Sequence, residues 1–381
     1  MTHRTILVLA GDGIGPEVTA QAVRALEAVA STLDLPWRLR PMPIGAGPAL
    51  EHGTSLPDAT REAAAEADAI LLGAVGRPDL DDALQPRRRP GQALLTLRRE
   101  LDLFANLRPV RPLPPLLHAS TLKPEVVEGC DLVFVRELVG GLYFGQPRGI
   151  EDLGGGIRRG FNTLAYDSRE IRRVARVAFE LARTRSGRVC SVDKANVLES
   201  MALWRQEVQA LHDADYPDLA LSHQYVDNCA MQLVRAPRQF DVVLTENTFG
   251  DILSDCAAMV TGSLGTLPSA SLGAPRPDGT RPALYEPVHG SAPDIAGRDV
   301  ANPVGALLSV ELLLRLSFGL DAAADALRAA VIDTLQAGRF TADLCPAGAQ
   351  PVGTRAFGDH VLLALRDRLT DARRTLRRTT P

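Results

Sequence analysis

Hydrophobic and polar positions switch between two periods along this chain. Thr5–Ala10 is an unbroken apolar run that stops in GDGIGPE. That pattern predicts a buried parallel strand, a glycine-rich turn and a helix opening near Pro16. Glu17–Thr32 then carries apolar residues at helical spacing, and Ala69–Leu72 predicts a second buried strand after an Ala- and Glu-rich helix. Further on, Leu94–Leu103 predicts a helix leading into NLRPV. Leu132–Arg136, Arg188–Val192 and Phe240–Thr245 predict strands, and Arg169–Arg183 and Asp251–Met259 predict helices. Pro86–Pro90, with three arginines inside, predicts a surface loop, and 147–163, rich in Gly, Arg and polar residues, an exposed arm. Helical and strand signals alternate with no internal repeat, so the fold class is α/β with substantial parallel pairing.

Composition changes this picture only at its edges. A chain of 381 residues is long for one simple core and predicts two domains. The formal charge of −4 gives no basic face for nucleic acid, and the short tail Arg373–Arg378 reads as a solvated helix end. No apolar run approaches the roughly 18 residues of a membrane span, and the first apolar stretch is too short for a signal peptide. Cys130, Cys190, Cys229, Cys256 and Cys345 are odd in number, scattered and without a CxxC. They predict neither a disulfide framework nor a zinc site, and point to a reducing, cytoplasmic home.

Several positions carry candidate chemistry. Gly11, Gly13 and Gly15 followed by Pro16 lack the third glycine of a dinucleotide GxGxxG pattern, so this segment reads as a tight strand-to-helix turn. In GDILSD, Asp251 and Asp255 are four apart, which puts both carboxylates on one helical face, in or near the first turn where the helix dipole tolerates negative charge. The pair reads as a solvated acidic helix start or, because its neighbours are apolar, as a cation site, for which oxygen ligands suit Mg²⁺ or Mn²⁺ better than zinc. Arg98, Arg108 and Arg136 stand in apolar or small surroundings, and guanidinium forks bind carboxylates bidentately. Lys194 follows a strand and reads as a surface lysine or a proton carrier. Tyr143 reads as packing or a phenolic acid, and Asp227 as a cap or a third metal carboxylate. The Gly- and Pro-dense stretch EPVHGSAPDIAG at 286–297 is a loop whose backbone can approach a cofactor closely. Asp294 within it is placed to accept from ribose hydroxyls.

Taken in order, GDGIGPEV, LFANLRP, VRELVGGLYFG, SVDKANVLE, QYVDN, NTFGDILSD and EPVHGSAPDIAG resemble the isocitrate/isopropylmalate dehydrogenase family of β-decarboxylating dehydrogenases across roughly residues 5–305, more weakly to about 360. The resemblance implies a two-domain fold with a parallel or mixed sheet, distinct from the Rossmann type. The larger, cofactor-binding domain would comprise 1–103 plus 262–381. The smaller domain, 104–261, would carry the dimer contact and the arm, with the active site in the cleft between the two. That site would be shared across a homodimer, with Lys194 and Asp227 supplied by the partner subunit. Arg98, Arg108 and Arg136 resemble the substrate-carboxylate binders, with Asp227, Leu94, Leu95 and Val197 beside them. Asp227, Asp251 and Asp255 resemble the ligands of Mg²⁺ or Mn²⁺, and Lys194 and Tyr143 the acid–base pair. Ile14 and Gly76 resemble the nicotinamide side of an NAD site. Glu286, His289, Gly290, Ser291, Ala292, Pro293, Asp294, Ile295 and Asn302 resemble its adenosine loop.

The implied reaction is oxidative decarboxylation of a 2-hydroxy dicarboxylic acid. In leucine biosynthesis this converts 3-isopropylmalate to 4-methyl-2-oxopentanoate. NAD is expected over NADP because Asp294–Ile295 stands where NADP-using relatives tend to have lysine and tyrosine. One departure bears on the substrate: in PGQALL, Gly91 stands where the family usually has a glutamate. That leaves open another 3-substituted malate, homoisocitrate or tartrate, and more remotely a non-catalytic binding protein on this fold.

Overall fold

The computed structural model describes residues 3–81, 84–85 and 88–379, with the side chains of 81 and 371–379 outside the description. The first apolar run forms β1 (Arg4–Gly11), and α1 (Gly15–Leu33) starts with Pro16 in its first turn. There follow β2 (Trp37–Pro41), α2 (Ala46–His52), α3 (Asp58–Glu66), β3 (Ala69–Ala74), α4 (Pro78–Asp81), α5 (Pro90–Glu100), β4 (Ala105–Val110), α6 (Pro124–Val127) and β5 (Leu132–Glu137). The middle of the chain gives β6 (Gly149–Asp152), β7 (Arg158–Phe161), α7 (Ser168–Arg183), β8 (Arg188–Asp193), α8 (Glu199–Asp215), β9 (Ala220–Tyr225), α9 (Val226–Arg235), β10 (Val242–Thr245) and α10 (Asn247–Thr261). The rest is β11 (Pro268–Leu272), β12 (Ala283–Pro287), α11 (Val304–Leu316), α12 (Asp321–Gln336) and α13 (Thr354–Thr379).

Ten strands share one sheet in the order β2-β1-β3-β12-β11-β4-β5-β10-β8-β9. Its two flanks, β2-β1-β3-β12 and β5-β10-β8-β9, are each parallel, and the centre, β12-β11-β4-β5, is antiparallel. The first flank is built from the two ends of the chain and the second from its middle. Because β5, β10 and β8 run parallel, their carboxyl ends open on one edge of the sheet, where ligands of such sheets usually sit. Arg136, Glu137 and Lys194 therefore leave the sheet on the same side as the start of α10.

Helices close both faces. α11 is buried along almost its whole length and packs on β11, β12 and α1. α7 has one apolar face, and its N-terminus is fixed by a capping box between Asp167 and Glu170. The arm is a separate ribbon of β6 and β7 with Ile150, Leu153 and Ile157 exposed. No helix among the described residues is long and apolar enough to cross a membrane, and the cysteines are all free.

Four sequence expectations need correction. The helix placed at 94–103 is α5, which starts at Pro90 and stops at Glu100, where the chain turns through Asp102 at φ +46°. NLRPV is not a connector but β4, a central strand. The segment 286–297 is a loop only after Pro287, because Glu286 and Pro287 end β12. Asp251 and Asp255 lie beyond the first turn of α10, which begins at Asn247 and is capped by Glu246. Their charge is thus balanced by side chains and not by the helix dipole, which acts within a turn of the end. In the 86–90 segment, 86–87 lie outside the described residues, and the Arg373–Arg378 tail continues α13 with its side chains undescribed.

Candidate active site

β4 and β5 are paired antiparallel with Asn106 opposite Arg136, so Asn106, Arg108 and Arg136 share one face. α10 lies across that face. It approaches closely because Gly250 has no side chain: a Cβ there would stand 2.6 Å from Arg136 Cγ and 2.4 Å from Thr245 Oγ1. The Arg136 guanidinium donates through Nε and Nη2 to Asn247 Oδ1, at 3.0 and 2.8 Å, and through Nη1 to Asp251 Oδ1 at 2.5 Å. Arg108 donates to Asn106 Oδ1 (2.8 Å) and Ser254 Oγ (2.7 Å), and pairs with Asp251 (3.4 Å) and Asp255 (3.3 Å). The Tyr143 hydroxyl donates to Asp251 Oδ2 at 2.8 Å, and its ring lies under the Arg136 guanidinium.

These groups tune one another. Burial lowers the Arg136 pKa to about 10 and also lowers that of Arg108. Burial works against ionisation of Asp251, yet Arg136 and Arg108 outweigh it and hold that carboxyl below its ordinary value. Asp255 is raised, by burial first and by the Asp251 charge as well. The Tyr143 phenol is pushed up to about 12, by burial and then by its bond to Asp251, so it carries its proton at neutral pH.

The remaining sequence candidates fall in three places. Arg98 is buried on α5 and pairs with the buried Glu286 of β12 at 2.7 Å, and its charge acts on both Arg108 and Arg136. Leu94 packs into the core, whereas Leu95 lines a cavity of about 540 Å³ with Gln92, Thr96, Arg99, Tyr143, Phe144, Gln146 and Arg148. Lys194 pairs with Asp227 at 2.9 Å on the β8–α9 side, with Val197 exposed nearby in sequence. No cluster of three or more His, Cys, Asp or Glu side chains suited to a metal occurs among the described residues, so Asp227 does not complete the Asp251–Asp255 pair within one chain.

The glycine-rich turn does what a tight turn requires. Ile14 N donates to Ser291 O at 2.8 Å, and a Cβ on Gly13 would stand 1.9 Å from that same oxygen, so only glycine lets the turn dock on the loop after β12. Gly76, at φ +139°, faces Ser291 across this junction. Ala292 also takes a left-handed backbone, Gly290, Pro293 and Asp294 are exposed, and Ile295 is half-buried against the core. Asn302 is held by Asp343 at 2.9 Å and caps Val304 N. The Nε2 atom of His289 is buried without a partner and is free to bond a bound molecule.

Sequence reasoning missed Asp12, whose carboxylate accepts from Ala46 N (2.7 Å) and Gly76 N (2.9 Å) and so shapes this junction. It also missed Asn247, which anchors Arg136. The available signal was a polar residue set among glycines or three positions before GD, which is weak.

The arrangement, arginines over a paired carboxylate beside a protonated phenol, suits a small polyanion bound with a divalent cation. The chain belongs to the isocitrate/isopropylmalate dehydrogenase family, whose model it matches over residues 5–361. Within that family it is 55% identical over 361 residues to the 3-isopropylmalate dehydrogenase 1 of Bradyrhizobium diazoefficiens, covering 95% of each chain. It is 53% identical over 365 residues to the 3-isopropylmalate dehydrogenase of Paramagnetospirillum magneticum, covering 96% of this chain and 99% of that one. Among solved structures it is similar to the isocitrate dehydrogenase of Methylococcus capsulatus, with a TM-score of 0.82, 31% identity, and 95% and 99% of the two chains covered.

Proposed function

We propose that this chain catalyses the oxidative decarboxylation of 3-isopropylmalate to 4-methyl-2-oxopentanoate with NAD and Mg²⁺ or Mn²⁺. The observation that carries the reading is the meeting of Arg108, Arg136 and Tyr143 on Asp251 beside a cavity of about 540 Å³. The donor set fits the metal, since carboxylate oxygens are what a hard divalent cation takes. Asp255 keeps 55% of its side chain open to receive it. The loop after β12 fits a nucleotide, with open backbone at Gly290 and the unpartnered His289 Nε2. When bound, the cation would supply stabilisation for negative charge at the substrate C2 oxygen, and NAD would supply the hydride acceptor.

The chain's own groups do the rest. Arg108 and Arg136 bind and orient the carboxylates, exchanging some of their Asp251 contacts for substrate. Lys194, as the neutral amine released from its pair with Asp227, takes the C2 hydroxyl proton. Tyr143, held protonated, gives its proton to C3 as CO₂ leaves. The 3-substituent enters the cavity beside Leu95 and Gln92. One residue before Gln92, a Cβ on Gly91 would meet nothing within 4 Å beyond its own helix and chain neighbours.

In this reading 1–103 plus 262–381 form the cofactor domain and 104–261 the dimerisation domain. A second copy supplies Lys194 and Asp227. α9 packs on α10, and together they leave Met231, Val234, Ile252 and Met259 exposed, an apolar face next to the acidic pair that a second copy would cover. The test is NADH formation with 3-isopropylmalate, other 3-substituted malates, homoisocitrate and tartrate, each with Mn²⁺ and with chelator. Preference for any other acid overturns the substrate, and turnover in chelator overturns the metal.

A further inference from the structure

Two buried carboxylates next to this site have no part in the reading above. Glu137 ends β5 and Glu246 caps α10, and their exposures are 0% and 1%. Neither makes an ion pair among the described residues, although buried charges are normally paired. Their hydrogen bonds from backbone N–H groups point into the loop that carries Tyr143 and into the start of the helix that carries Asp251. Glu137 accepts from Val139 N at 3.0 Å and Gly140 N at 2.9 Å. Glu246 accepts from Phe249 N at 2.5 Å. Between them stands the buried Tyr166 hydroxyl, which donates to Glu246 Oε2 at 3.3 Å and accepts from Asn247 N at 3.1 Å. Asn247 closes the circuit by donating to Gly140 O at 3.0 Å while holding Arg136. The loop reaches this bridge only because it is glycine: a Cβ on Gly141 would stand 2.4 Å from Tyr166 Oη, and one on Gly140 2.6 Å from Tyr166 Cε1.

We infer that Glu137, Tyr166, Glu246 and Asn247 are positioning residues that lock the Tyr143 loop to α10, so that the phenol is held on Asp251 and aimed at the reacting carbon. None of the four is placed to touch substrate. A core that needed only stability would fill this space with apolar side chains, whereas this one fixes the angle between two elements that each carry a reacting group. Burial pushes both carboxyls upward, Glu137 to about 7. This inference rests on Tyr143 being the proton donor.

The test is a double-mutant cycle with Tyr143→Phe and Tyr166→Phe. The Tyr166→Phe variant keeps the ring packed on Trp204 and removes only the bridging hydroxyl. The expected result is a fall in kcat of about tenfold with KM and Mn²⁺ affinity unchanged. The double variant should be no slower than Tyr143→Phe alone. Glu246→Gln, which keeps a cap acceptor and lets the hydroxyl turn to Glu137, should stay within about threefold of wild type. Losses that multiply in the double variant, or a Tyr166→Phe enzyme as fast as wild type, overturn the bridge. Should Tyr166→Phe fail to fold, Glu246→Ala cuts the same bridge from its other end and takes its place in the cycle. A fully active Tyr143→Phe enzyme would instead overturn the donor assignment, a different result from either.

Discussion

The two halves of the candidate site are built on opposite plans. Around Asp251 the side chains interlock within one chain: Arg136 and Arg108 are almost fully buried, and every charge has a partner already in place. Around Lys194 there is a single ion pair, with 64% of the Asp227 side chain exposed. The first half resembles a core that happens to be charged, and the second a surface waiting for a neighbour. The difference is between charges enclosed within one chain and a pair left open to solvent. In the proposed function the first half would bind and orient the substrate carboxylates as the fold presents them, whereas the second would be completed by another copy of the chain.

The strongest way to break this contrast is to empty the enclosed half. Asp251→Asn keeps the shape but removes the charge that two arginines and the cation all require. Turnover should fall at least ~10²–10³-fold, with Mn²⁺ binding lost in calorimetry. A variant that binds Mn²⁺ as tightly as wild type would show that the acidic pair serves only the arginines. The next largest effect tests the open half. Lys194→Ala and Asp251→Asn chains, each all but inactive alone, should regain on the order of a quarter of wild-type activity after subunit exchange, because a mixed dimer holds one intact site. No recovery despite proven exchange would mean that each chain carries its own lysine. A smaller effect concerns the nucleotide loop, which is pinned within one chain by Ser291 and Asn302. Replacing Asp294→Lys with Ile295→Tyr should move the NAD-to-NADP efficiency ratio toward NADP by about tenfold or more. A wild-type enzyme that already uses both cofactors equally would remove the basis for that prediction.

How much of this was legible in the chain follows the same division. Patterns that repeat locally were read well: the run before GDG, the strand at Leu132–Arg136 and the amphipathic α7 all lie where periodicity put them. NLRPV was not read as a strand. Its arginine and proline break the apolar signal, and β4 is stabilised by neighbours far away in sequence, β5 and β11. The acidic pair was legible as a helical face, but its balancing charges were not, since Arg108 lies well over a hundred residues earlier in the chain. Arg98 was grouped with the other two arginines, and its charge does act on both, but its ion pair with Glu286 is a product of packing that the chain alone did not reveal. Glu137, Glu246 and Tyr166 gave no signal at all. A buried carboxylate accepting backbone N–H groups looks, in sequence, like any surface glutamate.

Those buried acids give the finest test of the contrast, through the dependence of stability on pH. Burial raises the Glu137 pKa from 4.5 to about 7 in the folded protein, opposed by the N–H groups of Val139 and Gly140. The folded state therefore keeps a proton that the unfolded chain gives up above 4.5. Its contribution is complete below the unfolded pKa and is lost as pH rises through about 7. Over that window, stability from this one group should decline by about 3 kcal/mol. Other groups titrate nearby: Glu246 has the same sign, whereas His223 and His289, lowered chiefly by burial, have the opposite one. The useful quantity is thus the difference between wild type and Glu137→Gln in urea midpoints, followed from pH 5 to 8. Glutamine can accept only one of the two N–H bonds, a loss of about 1 kcal/mol that is constant across the window and leaves the slope untouched. The advantage of wild type over the variant should shrink steadily as pH rises. Asp227→Asn supplies the counterpart from the exposed half. Lys194 holds the Asp227 carboxyl below 3.8, so its contribution is lost only as pH falls past that value, and its difference curve should be flat from pH 5 to 8. A flat curve for Glu137→Gln as well would mean that its carboxylate is ionised inside the fold, and that the two halves differ in exposure but not in how they hold charge.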